Sequence, residues 1–351
     1  MKKRFLFVLI PLFFLFVLAT EASANSVDFG VKPVIPENQQ DKNKSYFDLR
    51  MSPGEKRSVS LTLSNLSDKE TVVAIQPNTA MTNRNGVIDY KSSDKAKDST
   101  LPLNISDIIT GEKEVTLKPK ESRNITYEIT MPEKPFDGMI LGGFYMKKIS
   151  KEPAPATDKN VQIKNEYSYV VAVAITQNDA KIDSELKLND IKPGLENYRT
   201  VVTANIQNIK PKLEGKMSVK ANVTKKGSSE ILHTTEKESM SMAPNSNFDF
   251  PISWNNQELK AGVYTLNLNV TTSGGQWKFS KDFEIKAAES NKLNNSAVEL
   301  DKDYTTIFII IGSLLVVTIL LLLVLIFIFR KKRTDKENQA TEQKRPNKKV
   351  V

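Results

Sequence analysis

From Ile307 to Phe329 the chain reads IFIIIGSLLVVTILLLLVLIFIF without a single charge. At ~1.5 Å rise per residue such a run makes a helix of roughly 34 Å, enough to cross a ~30 Å hydrocarbon core. Arg330, Lys331, Lys332 and Arg333 follow at once, and basic residues beside a span stay on the cytoplasmic side. The expectation is a single-pass protein of the cell membrane. Its N-terminal ectodomain lies outside the cell, and its short tail, 330–351, lies in the cytoplasm as a polar segment without fixed structure. A plain stop-transfer role is the simpler reading of Arg330 to Arg333, with contact to anionic lipid heads as the alternative. No LPxTG-like sorting motif precedes the span, so covalent transfer to a cell wall is not indicated.

The N-terminus agrees with this topology. Met1-Lys2-Lys3-Arg4 is a basic n-region, Phe5 to Leu18 an apolar h-region, and Ala22-Ser23-Ala24 fits the small-residue rule for signal peptidase. Cleavage is predicted after Ala24; an uncleaved N-terminal anchor is the alternative. The formal charge of +9 is concentrated at the two ends, since the tail from Arg330 holds nine basic and three acidic residues. The ectodomain between is close to neutral. The basic balance therefore reports topology and gives no support for nucleic-acid binding.

The chain has no cysteine and one histidine, His233, in the polar stretch EILHTTEKE. An extracellular chain of this kind must be held by its cores alone. A Cys/His metal cluster is excluded, and no nucleophile–histidine group has a convincing setting. No P-loop, G-x-G-x-x-G or G-x-S-x-G occurs, and no carboxylate pair stands out. The expectation is a non-enzyme without cofactor or metal. Gly142-Gly143 reads as backbone permissiveness within a strand, not as a phosphate cradle.

Period-two alternation dominates the ectodomain. Val59, Leu61 and Leu63 share one face, as do Ile125, Tyr127, Ile129 and Met131. Lys151 to Asp158 (KEPAPATD) reads as a Pro/Ala linker. A second series follows, opening with the apolar run Tyr167 to Thr176 and including Phe248, Phe250, Ile252 and Trp254, then Tyr264, Leu266, Leu268 and Val270. Gly274-Gly275 reads as a hairpin turn. The predicted fold class is all-β, with two tandem immunoglobulin-like β-sandwiches. The expected boundaries are a signal peptide 1–24, a first sandwich 25–150, a linker 151–160, a second sandwich 161–288, a polar stalk 289–304, a membrane helix 305–329 and a tail 330–351. Trp254 and Trp277 read as core. Tyr46, Phe47, Phe136, Phe144 and Tyr145 adjoin turns and are weaker core candidates, with stacking on sugar rings as the alternative.

In their order along the chain, these pieces resemble the WxL-interacting proteins of Gram-positive bacteria. In the first half the matching residues are Ile35 to Gln39, Tyr46 to Leu49, Pro53-Gly54, Asn65, Ala80, Thr82-Asn83, Gly86, Ile88 to Tyr90, Phe136 to Gly138 and Gly142-Gly143. In the second they are Asn165, Tyr167, Gln207-Asn208, Ala243 to Phe248, Gly262, Tyr264, Trp277 and Leu293-Asn294. The resemblance implies a peptidoglycan-binding first domain and a host-binding second domain that engages extracellular matrix protein. It also implies noncovalent partnership with secreted WxL-domain surface proteins. The resulting expectation is a membrane-anchored adaptor. An adhesin acting mainly on host matrix is the alternative, and a wall-modifying enzyme is the second alternative.

Within those motifs the candidate ligand contacts are Pro36, Glu37, Asn38, Gln39, Thr82, Asn83, Arg84, Phe136 and Asp137. Asn and Gln amides donate and accept, which suits an amide- and hydroxyl-rich wall polymer, and Arg84 could pair with a carboxylate bidentately. The competing reading is structural throughout: a loop hydrogen-bonded to itself at 36–39, a turn at 82–86 with Gly86 at positive φ, and a rigid turn at 243–247.

Overall fold

A computed structural model of the chain describes residues 27–91, 97–149, 166–300 and 305–343. The predicted signal peptide, 1–24, and the expected linker, 151–160, lie outside the described residues.

Two β units form, each with its own core. In the first, one sheet has the order β1 (Phe29–Val34), β3 (Lys56–Asn65), β9 (Ser122–Thr130), β7 (Ile109–Thr110). The facing sheet has the order β2 (Phe47–Arg50), β11 (Ser168–Thr176), β10 (Met139–Lys148), β4 (Thr71–Thr79), β8 (Glu114–Leu117). A ribbon of β5 (Met81–Thr82) and β6 (Ile88–Asp89) and a single helical turn, α1 (Ile105–Ile108), complete it. The alternation read from the sequence sets the faces: Val59, Leu61 and Leu63 pack against Ile125, Tyr127 and Ile129. Phe47 and Phe144 are fully buried, edge to face at 6.2 Å, so neither offers a ring for stacking on sugar. Gly142 is needed because a Cβ there would come within 2.6 Å of Ile105, which lies across the strand.

Tyr167–Thr176 opens no second sandwich. As β11 it runs antiparallel to β10, from Met139↔Thr176 to Lys147↔Ser168, and parallel to β2 on its other edge. The Pro/Ala segment at 151–160 therefore joins two neighbouring strands of one sheet, and the passage between the units falls at 177–185. Alternation marks a strand but carries no information on its partner.

The second unit packs β12 (Leu186–Glu196), β13 (Arg199–Asn208) and β16 (Ser246–Ser253) against β15 (Ile231–Met242), β14 (Glu214–Lys225), β17 (Gly262–Thr272) and β18 (Gly275–Ile285). Phe248, Phe250, Ile252, Trp254, Leu266 and Leu268 fill its core. The β17–β18 hairpin turns at Ser273-Gly274. His233 is not in a polar setting. It is buried with its ring stacked on Trp254 at 3.9 Å, and burial lowers its pKa to about 4.

The expected stalk is largely folded. Residues Ala287–Ser296 form α2, with Leu293 packed on the second core. Asn294 donates to the Leu259 carbonyl at 3.0 Å and accepts from its N–H at 2.9 Å. The final helix, α3, runs Thr305–Gln343, and Ile307–Arg333 is long and apolar enough to cross a membrane. It continues past Arg330 into the tail, where an unstructured segment was expected. The Lys, Glu, Gln and Ala residues there are good helix formers, and no proline interrupts them before Pro346.

Candidate functional site

Part of the motif set, namely Thr82, Gly86, Gln207 and Ala243 to Asn247, meets at the junction between the two units. The β5–β6 turn is built locally: the Asn83 side chain accepts from the N–H groups of Asn85 (2.9 Å) and Val87 (3.2 Å), and Gly86 sits at φ +70°. The turn then meets the second unit. The Ser241 N–H donates to the Gly86 carbonyl at 2.7 Å, and a Cβ on Gly86 would lie 2.5 Å from the Met240 sulfur. Thr82 is buried and accepts from the Ala243 N–H at 3.0 Å. It also bonds the Ser246 hydroxyl at 2.7 Å, and Ser246 returns to the Ala243 carbonyl at 2.8 Å.

Asp98 supports the same junction from the first unit. Its carboxylate accepts from Gln207 at 2.9 and 3.0 Å, from Asn247 at 2.6 Å and from Thr100. Burial pushes its pKa up, but hydrogen bonds from Asn247, Thr100 and Gln207 outweigh that and hold the carboxyl below its ordinary value. Asn245 donates to the Thr100 carbonyl at 2.9 Å, and the Met139 N–H to the Pro211 carbonyl at 2.7 Å. An apolar patch of Ala80, Leu141, Ala174 and Ala243 completes the contact, with Tyr46 and Tyr90 packed beside it. The buried Thr82, Asn245 and Ser246 each bond across or beside the junction, which favours one arrangement of the two units.

A cleft of about 400 Å³ opens beside this junction, between residues 78–82 of the first unit and Asn245, Ser246 and Asn247 of the second. Asp98, Leu101 and Asn104 also line it. The Asn245 Oδ1 is buried without a hydrogen-bond partner among the described groups. The cleft is rich in amides and can pair with donors and acceptors alike.

The sequence candidates divide by burial. Gln39 is buried and serves its own loop, donating to the carbonyls of Asp41 (2.8 Å) and Lys44 (3.3 Å) and accepting from the Asp48 N–H at 3.2 Å. Phe136 packs on the first core, and its N–H donates to Gln177 at 2.9 Å. Pro36 is half-buried, whereas Glu37, Asn38, Arg84 and Asp137 are exposed, Asp137 accepting from Asn178 at 2.7 Å. The 36–40 loop shares an end with the junction: Gln40 bonds Thr176 at 2.9 Å, and Thr176 pairs with Met139. Asp98 and Thr100 escaped the sequence reading, because they sit in a plain polar stretch whose partners are more than a hundred residues away.

Two β units that share a polar junction, followed by a membrane-length helix, define the architectural class. Residues 29–148 match the family model described as WxL Interacting Protein, peptidoglycan binding domain, and residues 158–295 match WxL Interacting Protein, host binding domain. The chain belongs to the WxL-interacting protein family. The second match begins upstream of β11, so the segment it covers contributes a strand to the first unit's sheet. No curated protein matches the sequence. Among solved structures the chain is similar to the E. coli chaperone DraB, at 15% identity over 74% of this chain and 95% of that one, with TM-score 0.29. It is also similar to the Pseudomonas aeruginosa CupB2 chaperone, at 11% identity over 67% and 96%, with TM-score 0.27. A third likeness is to a PapD-like domain of human CEP192, at 9% identity over 47% and 95%, with TM-score 0.26.

Proposed function

We propose that this protein is a non-catalytic surface adaptor, held in the membrane by α3 with its two immunoglobulin-like sandwiches outside the cell. The first binds peptidoglycan, the second contacts host extracellular matrix protein, and the pair receives a secreted WxL-domain protein. The observation that carries this reading is the tandem match to two binding-domain families directly ahead of a membrane-length helix. The basic run Arg330 to Arg333 supports an outward N-terminus. In this reading the exposed Glu37, Asn38, Arg84 and Asp137 are available to ligand, while Pro36, Gln39, Thr82, Asn83 and Phe136 hold the loops that present them.

The test is co-sedimentation of the full-length protein, in detergent, with purified peptidoglycan, alongside a pull-down from cell-surface extracts. Retention on peptidoglycan and recovery of a WxL-domain protein are expected, with Arg84→Ala weakening retention. Recovery of neither overturns the adaptor reading. An adhesin acting chiefly on host matrix is favoured by the host-binding match, and matrix binding without wall retention would select it.

A further inference from the structure

The second unit has two ends, and strand pairing identifies which faces the anchor. One end meets the first unit through Pro211, Met240 and Ser246. At the other, β18 finishes at Ile285 beside Gly262, and α2 begins. The chain after α2 is not released there. The Val298 N–H donates to the Tyr198 carbonyl at 2.8 Å, and Arg199 pairs with Glu299 at 2.6 Å. Only residues 301–304 separate this point from α3, and a chain fully extended at ~3.5 Å per residue spans about 17 Å from residue 300 to residue 305. The far end of the second unit is therefore held close to whatever surface α3 enters.

That end is also where the second unit exposes its large apolar side chains. Between residues 186 and 300 these are Tyr198 at 68%, Ile231 at 54%, Val298 at 49%, Val263 at 44% and Leu213 at 37%. All but Leu213 lie at the anchor end: Ile231 opens β15, Val263 lies at the start of β17, and Val298 is bonded to Tyr198. Tyr198 forms the tip of the β12–β13 hairpin, with Asn197 and Tyr198 at φ +48° and +61°. Bulky side chains seldom adopt that conformation, and here it projects an aromatic ring outward. Exposed Lys225, Lys226, Lys260 and Lys286 lie at this end, together with Glu196, Glu230 and Glu258. The surface is amphipathic and balanced in charge, as suits the boundary between lipid headgroups and hydrocarbon, where Tyr is enriched.

We propose that this end of the second unit rests on the bilayer that holds α3, with Tyr198 seated at the headgroup level beside Ile231, Val263 and Val298. The proposal rests on the anchored reading above. Docking is carried by the apolar side chains and is insensitive to lipid charge. It fixes the second unit against the membrane and leaves the junction and first unit to face outward.

The absence of native cysteine makes the test clean. Single variants Tyr198→Cys, Ile231→Cys, Leu213→Cys and Ile319→Cys of the full chain are labelled with a small fluorophore and placed in phosphatidylcholine nanodiscs. Headgroup-nitroxide and acyl-chain-nitroxide lipids are the quenchers. The Ile319 label reports insertion of α3 and is expected to be quenched by acyl-chain nitroxide. Labels at 198 and 231 are expected to be quenched several-fold more strongly by headgroup nitroxide than the label at 213, equally with and without phosphatidylglycerol. Quenching at 319 with 198 and 213 equally silent overturns docking and leaves anchoring intact. An unquenched 319 label overturns anchoring, and docking with it. Quenching at 198 only when phosphatidylglycerol is present overturns the apolar mechanism.

Discussion

His233 should be the principal acid-sensitive residue of the second unit between pH 6.5 and 5. Its side chain is 4% exposed and stacked on Trp254, and its Nδ1 has no hydrogen-bond partner among the described groups. Nothing there compensates a charge, and desolvation lowers the pKa from 6.5 to about 4. The native state therefore refuses a proton that the unfolded chain accepts. The associated stability is fully present above pH 6.5 and is lost as pH falls from there through about 4. A shift of this size corresponds to roughly 3 kcal/mol over the whole range, of which about 2 kcal/mol is lost by pH 5. Because His233 is the only histidine, its imidazole resonances give the native pKa by NMR without assignment. Urea unfolding of the wild type and His233→Phe at pH 7.5 and pH 5 then isolates its contribution, since carboxylates titrate alike in both. The wild type should lose about 2 kcal/mol more than the variant. A measured pKa near 6.5, or parallel losses in the two proteins, would refute the desolvation argument.

Three further outcomes test the packing. Thr82→Val leaves the buried Ala243 N–H without its acceptor and should cost about 1–3 kcal/mol in urea unfolding, whereas Ser60→Ala on the exposed face of β3 should cost almost nothing. Gly86→Ala combines a left-handed backbone with a collision against Met240, whereas Gly227→Ala meets open space at φ +79°; both should lower the melting temperature, and Gly86→Ala by clearly more. Asn294→Ala removes both bonds that hold α2 to Leu259 and should cost about 1–3 kcal/mol, read as faster hydrogen exchange at the Leu259 amide.

The strand faces were legible because they are local. Val59, Leu61 and Leu63, or Phe248, Phe250 and Ile252, occupy alternate positions, and a strand has no other way to bury them together. The Gly86 turn was legible for the same reason, and the β17–β18 hairpin nearly so: expected at Gly274-Gly275, it turns one residue earlier, at Ser273-Gly274. The destination of β11 was not. Its apolar run is equally suited to the centre of either unit, and its neighbour β10 stands across the Pro/Ala segment that reads so naturally as a linker. The motif residues were harder still. Thr82, Gln207, Asn245 and Asn247 are polar residues that suit ligand recognition as well as structure, and their partners lie in the other unit.

What the sequence determined by itself was everything with a short period or a single length: an uninterrupted apolar helix after residue 306, alternating faces before it, and cores without disulfides. What only the tertiary structure decided was partnership. Thr82 meets Ser246 and Asp98 meets Asn247 because two separately packed units close on each other. Asn294 turns an apparently free stalk into a docked helix by the same kind of contact. A side chain's type announces that it must be hydrogen-bonded when buried, but whether it is buried, and against what, is a property of the folded chain.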